Sequence, residues 1–389
     1  MIGWLVVGGF ALVAWLWLTV AQGWFWRTDQ RLPAGSPPAR WPSVAVVVPA
    51  RDEVEVLPAS LPSLLAQRYP GPVRLILVDD NSTDGTGELA EKLAIDAAVP
   101  LTVSTPGEPP AGWTGKLWAV EHGVGIADDA DFLLLTDADI RHGPESLTRM
   151  VESATAGGFD LVSQMALLRT ETVWERLIVP AFVYFFAMIF PFRRVNRPGS
   201  RVAAAAGGCM LVRADTLRRA GGVAAIGGAV IDDVALAGLV KRAGGRLWLG
   251  LAEDVHSVRP YPRLADLWQM VARSAYTQLR HSPLLLVGTV VGLGVVFLVP
   301  PVTTVVGAAD GDLIGCGLGA VTWLLMAATF APMLRYYRQP VAAALLLPVT
   351  ATLYLLMTVD SARRHWSGRG AAWKGRNYVG PAGHPARHE

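Results

Sequence analysis

Cysteine and charge are what this sequence has least of. Two Cys, Cys209 and Cys316, cannot build a disulfide framework in 389 residues and lack the spacing of a metal site, so both are expected to be reduced. Asp, Glu, Lys and Arg together make up 17% of the chain, and 34 Lys plus Arg stand against 32 Asp plus Glu. A net charge of +2 leaves no bulk attraction for nucleic acid, and none is expected as a partner. Walker loop, zincin helix, Ser-His-Asp order, sustained repeat and coiled-coil heptads are all missing. Apolar residues fill the gap. They make 52% of the sequence, and the mean hydropathy of +0.36 exceeds that of an ordinary soluble protein, so part of the chain is expected in lipid.

The first charge is Arg27, and residues 1–26 before it can cross a bilayer core of about 30 Å. A secretory signal peptide is the competing reading. The start carries no positive residues and only the small-residue triplet ending at Ala21 resembles a cleavage site, so an N-terminal anchor is expected. Trp24, Phe25 and Trp26 suit an aromatic belt, and Arg27, Arg31 and Arg40 then put the next domain in the cytoplasm. Residues 27–42 read as a Pro-rich linker. Residues 177–192 read as an interfacial or buried helix, being short, Pro-bounded and followed by Arg193 and Arg194. Residues 261–283 contain a second interfacial helix, and 284–360 hold three apolar stretches, at 284–307, 313–332 and 341–359. Asp310 and Asp312 place the first intervening loop outside, whereas Arg335 and Arg338 place the second inside. The last stretch either spans or turns back at Pro348 as a re-entrant hairpin. The hairpin keeps the basic tail, 361–389, inside and is the preferred reading. The whole describes a multi-pass protein of the cell (inner) membrane.

Between 43 and 260, apolar runs alternate with amphipathic stretches, the pattern of an α/β domain with a mostly parallel sheet. Strands are expected at 44–48, 73–78, 100–104, 131–136, 159–165 and 246–250, and helices at 56–67, 86–94, 116–127, 144–155 and 233–243.

Several of these strands end in carboxylates. Asp79 and Asp80 close "RLILV", and Arg51, Asp52 and Glu53 follow the first strand, where open parallel sheets bind ligands. The polar run from Asp80 to Gly87 suits a turn equally well. In "FLLLTDADI", Asp137 and Asp139 stand at i and i+2, which on an extended segment directs both toward one hard cation. A solvated turn before the helix at "GPESL" is the alternative. Asp232 and Asp233 precede a helix, where an acid can cap, while the second of two adjacent carboxylates can act as a general base. Lys116, at a probable helix start, suits a phosphate or plain solvent, and His256 suits a metal, a diphosphate or a structural role.

The ordered set "VVVPARDE", "LILVDDNSTDGT", "GKLWAV", "LLLTDADI", "AAAAGGCMLVRADTLRRAGG" and "IDDVALAGLVKRAGG" resembles the family 2 glycosyltransferases of GT-A fold across residues 43–260. With "EDVHSVRPYPRLADLWQMVARSAYTQLRHSP" and the flanking apolar segments, it looks most like the hopene-associated membrane glycosyltransferases, distantly similar to ceramide glucosyltransferases. The resemblance implies a Rossmann-like domain for nucleotide-diphospho-sugars between N- and C-terminal transmembrane helices. Asp79 or Asp80 would hold the base and ribose of a nucleotide sugar, such as a UDP-sugar, with Ala50, Arg51 and Glu53 lining the pocket. Asp137 and Asp139 would bind Mg²⁺ or Mn²⁺ with His256 as a further ligand. Lys116, Asp232 and Arg273 would complete the donor site. Asp233 would be the base of a motif that here reads Asp-Asp instead of Glu-Asp. The Gln-x-x-Arg-Trp element of polysaccharide-building members is altered: Gln269 and Arg273 are four apart and Ser274 replaces Trp, which favours a single transfer.

The expected chemistry is therefore inverting, metal-dependent transfer of one sugar to a membrane lipid, such as a hopanoid. A polyprenyl-phosphate acceptor is the alternative and would need a basic pocket, for which Arg193, Arg194, Arg197 and Arg201 are available. A nucleotide-binding scaffold or transporter is the non-enzymatic reading. It has no use for a base beside a metal site, and a transporter should carry ionisable residues within its spans.

Overall fold

The structure, a computed structural model, describes residues 2–368, 372–373 and 376–377. The strands of its main sheet are β1 Val44–Ala50, β2 Val73–Asp79, β3 Leu101–Ser104, β4 Phe132–Thr136, β5 Ile140–His142, β6 Leu161–Leu167, β7 Cys209–Arg213 and β8 Leu247–Ser257. The helices are α1 Ile2–Ala21, α2 Leu57–Leu65, α3 Thr86–Leu93, α4 Gly115–Ile126, α5 Ser146–Gly157, α6 Val173–Ile189, α7 Phe192–Val195, α8 Ala214–Arg219 and α9 Asp232–Arg242. They continue as α10 Leu264–Ala272, α11 Ala275–Gln278, α12 Pro283–Leu293, α13 Val299–Ala309, α14 Leu313–Tyr336 and α15 Leu347–Trp366.

The eight strands form one mixed sheet in the order β3-β2-β1-β4-β7-β6-β8-β5. Strands β1 to β4 are mutually parallel, β7 runs antiparallel to both its neighbours, and β5 runs antiparallel to β8. Alternation along β1 divides the core. Val44, Val46 and Val48 join the cluster containing Leu57 and Leu61 of α2 and Met150 of α5. Ala45 and Val47 join the other, which contains Val120 of α4 and continues without a break to Trp15, Tyr184, Phe330 and Tyr354 of the apolar helices. The sheet and the helix bundle therefore share a core. The residue 27–42 segment is fixed to it as well: the Gln30 carbonyl accepts from Leu251 N (2.9 Å), and the Arg31 guanidinium lies 4.5 Å from the Tyr336 ring centre.

Among the described residues, five helical segments are long and apolar enough to cross a membrane: residues 4–21, 173–195, 283–309, 313–336 and 341–366. α1, α12–α13 and α14 pack together. A π-helical turn, Gly294–Leu298, joins α12 to α13; such turns loosen the ordinary carbonyl pairing, and the buried Trp15 indole donates to the Val296 carbonyl (2.6 Å).

α6 begins earlier than the expected 177, at Val173, because Thr172 and Glu175 form a capping box, and Pro180 lies inside it. It packs against α10, α14 and α15. Its Tyr184 packs on Phe25 (5.2 Å between ring centres) and Phe330 (5.1 Å) and hydrogen-bonds Thr329 (2.7 Å).

The segment 341–366 folds back on itself. Gln339 reaches Thr170, Leu345 O accepts from the Trp323 indole (3.2 Å) well inside α14, and Asp360 and Ser361 return to Trp268 of α10 and Tyr276 N of α11. Pro348 sits in the first turn of α15, where its missing N–H costs nothing. Much of the basic tail lies outside the described residues.

The helix α4 lies unusually close to the sheet. A Cβ placed on Gly123 would stand 2.5 Å from a Val47 methyl and 3.0 Å from one of Val78. Gly123→Val should therefore cost about 1–3 kcal/mol through overpacking, read as a lower midpoint of thermal unfolding of the full chain in detergent.

Candidate functional site

The carboxyl ends of β1, β2 and β4 meet where the strand order reverses, the position at which open α/β sheets bind ligands. Two loops close it on one side. Residues 51–54 and 79–86 are laced together: Asp52 N donates to the Ser82 hydroxyl (3.0 Å), Glu53 N to that of Thr86 (2.8 Å), and Val54 N to Asp84 (3.1 Å). In return the Asp52 carboxylate accepts from Thr83 N (2.8 Å). Asp52 and Asn81 take positive φ, 49° and 53°, a conformation Asp and Asn tolerate better than most residues. Asp80 is fully buried; its N–H bonds the Ala50 carbonyl (2.8 Å), and its carboxylate lies 3.5 Å from the Arg51 guanidinium. Asp79 turns toward its own loop, accepting from Ser82 N (2.9 Å).

Asp137 and Asp139 sit in a turn closed by Ile140 N to Asp137 O (3.1 Å), not on the expected extended segment, because β4 stops at Thr136. They remain electrostatic neighbours. Lys116, in the first turn of α4, bridges Asp137 (2.7 Å) and Asp232 (2.9 Å), each partner between a fifth and a third exposed (33% and 20%). α4 is set by Thr114, whose hydroxyl accepts from Leu117 N (3.3 Å). Asp233 is the second residue of α9; its two oxygens accept from Gly207 N (2.9 Å) and Val234 N (2.7 Å). Arg273 lies within electrostatic reach of Asp232.

This arrangement separates the paired acids. Burial opposes ionisation of Asp232, but Lys116 and Arg273 outweigh it and hold its pKa below the usual value. Burial, reinforced by Asp232, pushes Asp233 up to about 7. Burial also raises Asp137, with Asp139 and Asp232 adding to it against Lys116. Burial alone would lower Lys116, yet Asp137 and Asp232 raise it, so the ammonium stays charged.

Two residues absent from the sequence-based set complete the edge. Arg259 contacts both oxygens of Glu53 (2.8 and 2.6 Å) and reaches Asp139 (3.3 Å). Tyr261 lies near Asp139 and Asp137, its phenol pushed up to about 12 by burial and then by Asp139. No spacing rule marks either. His256, expected as a metal ligand, does not join this set. Strand alternation turns Ser257 toward the site, where its hydroxyl donates to Asp139 (2.9 Å), and leaves His256 on the other face with Arg141, Asp254 and Arg338 as charged neighbours.

Among the described residues no group of three or more His, Cys, Asp or Glu surrounds a single ion. Asp137 and Asp139 each keep one oxygen without a protein partner there. Two carboxylates in a net-acidic pocket suit a cation that takes the rest of its shell from water and phosphate oxygens, as Mg²⁺ commonly does.

The model of Glycosyl transferase family 2 matches residues 45–221. Over that segment the chain is similar to the family 2 glycosyltransferases. A polyprenol monophosphomannose synthase of Mycolicibacterium smegmatis is 32% identical over 142 residues, 34% of this chain and 50% of the relative. An undecaprenyl-phosphate 4-deoxy-4-formamido-L-arabinose transferase of Pectobacterium carotovorum is 29% identical over 137 residues, 35% of this chain and 40% of the relative. The chain thus spans half or less of the length of these curated relatives. The solved mannosyltransferase PcManGT from Pyrobaculum calidifontis, in complex with GDP-Man and Mn²⁺, superposes with a TM-score of 0.55 at 18% identity, over 93% of this chain and 99% of that one. The fold is GT-A-like, with apolar helices at both ends able to span a membrane.

The raised Asp233 gives a linkage test. A carboxyl that binds its proton more tightly folded than unfolded stabilises the fold below its unfolded pKa near 3.8, and that contribution is lost as pH rises through about 7. Asp233→Asn stays neutral. Its thermal midpoint relative to wild type should therefore rise between pH 5 and pH 8; a difference independent of pH would contradict the assignment.

Proposed function

We propose that this chain transfers one sugar from a nucleoside-diphosphate sugar to a lipid acceptor at a membrane surface, with a polyprenyl phosphate as acceptor. The observation that carries the reading is the convergence of Asp137, Asp139, Lys116, Asp232 and Asp233 at one sheet edge in a chain similar to the family 2 glycosyltransferases. The acceptor class is supported by the matched relatives, which are named for polyprenol and undecaprenyl-phosphate substrates. In this reading the domain faces the cytoplasm at the inner membrane, and α6 and the α10–α11 segment form the floor where a lipid head meets the site.

The donor base and ribose lie against Asp80, Ala50 and Arg51, and Glu53, held by Arg259, shapes the pocket. Mg²⁺ or Mn²⁺, held by Asp139 and Asp137, supplies charge neutralisation for the leaving diphosphate. Lys116 and Arg273 give further positive charge on that side. The anomeric C–O bond to the diphosphate breaks as the acceptor oxygen bonds the same carbon from the opposite face, inverting it. A phosphate acceptor arrives already ionised and surrenders no proton. A second reading, a hydroxyl-bearing lipid such as a hopanoid, is favoured by Asp233: held near 7, it is matched to removing an alcohol proton at neutral pH.

The test uses the full chain in lipid nanodiscs with radiolabelled nucleotide sugars, Mg²⁺ or Mn²⁺, and either a polyprenyl phosphate or a hydroxylated hopanoid. Label should enter the organic phase with the polyprenyl phosphate. Asp139→Ala should cut the rate about 10²–10³-fold. Label only on the hopanoid, with Asp233→Asn losing about 10²–10⁴-fold, would select the second reading. No label from any donor would reject both.

A further inference from the structure

A second charged cleft follows α9 from Val234, next to Asp233, to the carboxyl end of the helix. About 950 Å³ in volume, it runs between α9 and the 195–203 loop and is lined by Arg197, Arg201, Lys241 and Arg242, with no acidic residue among its lining; Arg246 borders it but turns its guanidinium over the Phe159 ring (5.3 Å). The size falls within the range of small-ligand sites, about 300–1,000 Å³. Lys241 braces its floor, donating to the Val195 (2.8 Å) and Val202 (2.6 Å) carbonyls. Arg197, Arg201 and Arg242 are exposed, and none of the three forms an ion pair among the described residues. The Asp160 carboxylate, close to Arg246, is engaged by Arg246 N (2.8 Å), the Thr216 hydroxyl (2.7 Å) and Arg213 (4.0 Å). Arg193 and Arg194, by contrast, are spent on Asp29 and on the Ala21 carbonyl (2.6 Å).

The mouth of the cleft is at the level of the apolar helices. Ile189, 53% exposed, and Phe190 line it at the end of α6, and Gln22, just after α1, donates to Met188 O (3.0 Å). Trp24, 41% exposed, follows directly and marks the depth at which an aromatic belt meets headgroups. Unpaired guanidinium groups beside an apolar rim match a phosphate carried on acyl chains. Arg242 closes α9, whereas Asp233 is at its start, nine residues or roughly 13 Å of helix away. A phosphate at that end is too remote to attack the sugar.

We propose that this cleft seats the phosphodiester headgroup of an anionic membrane phospholipid that does not react. The inference requires only that the apolar helices lie in a bilayer, and it stands or falls apart from sugar transfer.

Native mass spectrometry of the full chain in detergent tests it, with phosphatidylglycerol, phosphatidylcholine or inorganic phosphate titrated separately. Phosphatidylglycerol should be retained at about tenfold lower concentration than phosphatidylcholine, and millimolar inorganic phosphate should not displace it. The Arg201→Gln/Arg242→Gln double variant should lose that preference, while Arg219→Gln, remote from the cleft, keeps it. If the double variant fails to fold, Arg242→Gln alone should reduce the preference severalfold. Equal retention of the two lipids, an unchanged preference in a folded variant, or displacement by free phosphate would overturn the proposal. Lipid preference without sugar transfer would count only against the function proposed above.

Discussion

The position of α6 is the constraint on which the rest of the molecule depends. At its start the buried Glu175 carboxylate accepts from Thr172 N (2.9 Å), Glu171 N (2.8 Å) and Tyr261 N (2.7 Å). Tyr261 N belongs to the segment that leaves the sheet edge, so one carboxylate fixes both the helix entry and the route of the chain past the site. Farther along, Tyr184 and its neighbour Phe185 clasp Phe25, Phe330, Phe297 and Tyr354 from four other segments. Edge-to-face pairs of this kind add about 0.5–1.5 kcal/mol each beyond the area they bury.

The sheet and the bundle consequently behave as one packed body. Its acidic edge stands at a set height above the apolar helices instead of swinging on a tether. The residue 27–42 segment, which composition alone presents as a linker, reinforces this by running against the sheet and Tyr336.

Much of the architecture is legible in the sequence where burial is two-sided. "VAVVVPA" and "FLLLT" read as strands because both their faces are covered, and the helices after them start and stop close to their expected limits. β5 and β7 are not legible: both are short, and β7 earns its central place only by antiparallel pairing with β4 and β6. β8 outruns its apolar start because Glu253, Asp254 and His256 interrupt the hydrophobic run without interrupting the ladder. At the site, every acid could be located, but partners could not. Arg259 follows Glu53 by more than two hundred positions, and no pattern in the chain announces that pairing. His256 stands apart from the acids for a reason that needs the register, since one step along a strand exchanges it for Ser257.

The lacing of the 51–54 and 79–86 loops bears on how mutational scans of this molecule should be understood. Ser82, Asp84 and Thr86 each hold a main-chain amide of the opposite loop. Truncating any of them frees an amide beside Arg51 and Glu53, so weakened nucleotide affinity in such a variant would report a shifted wall, not a missing handhold.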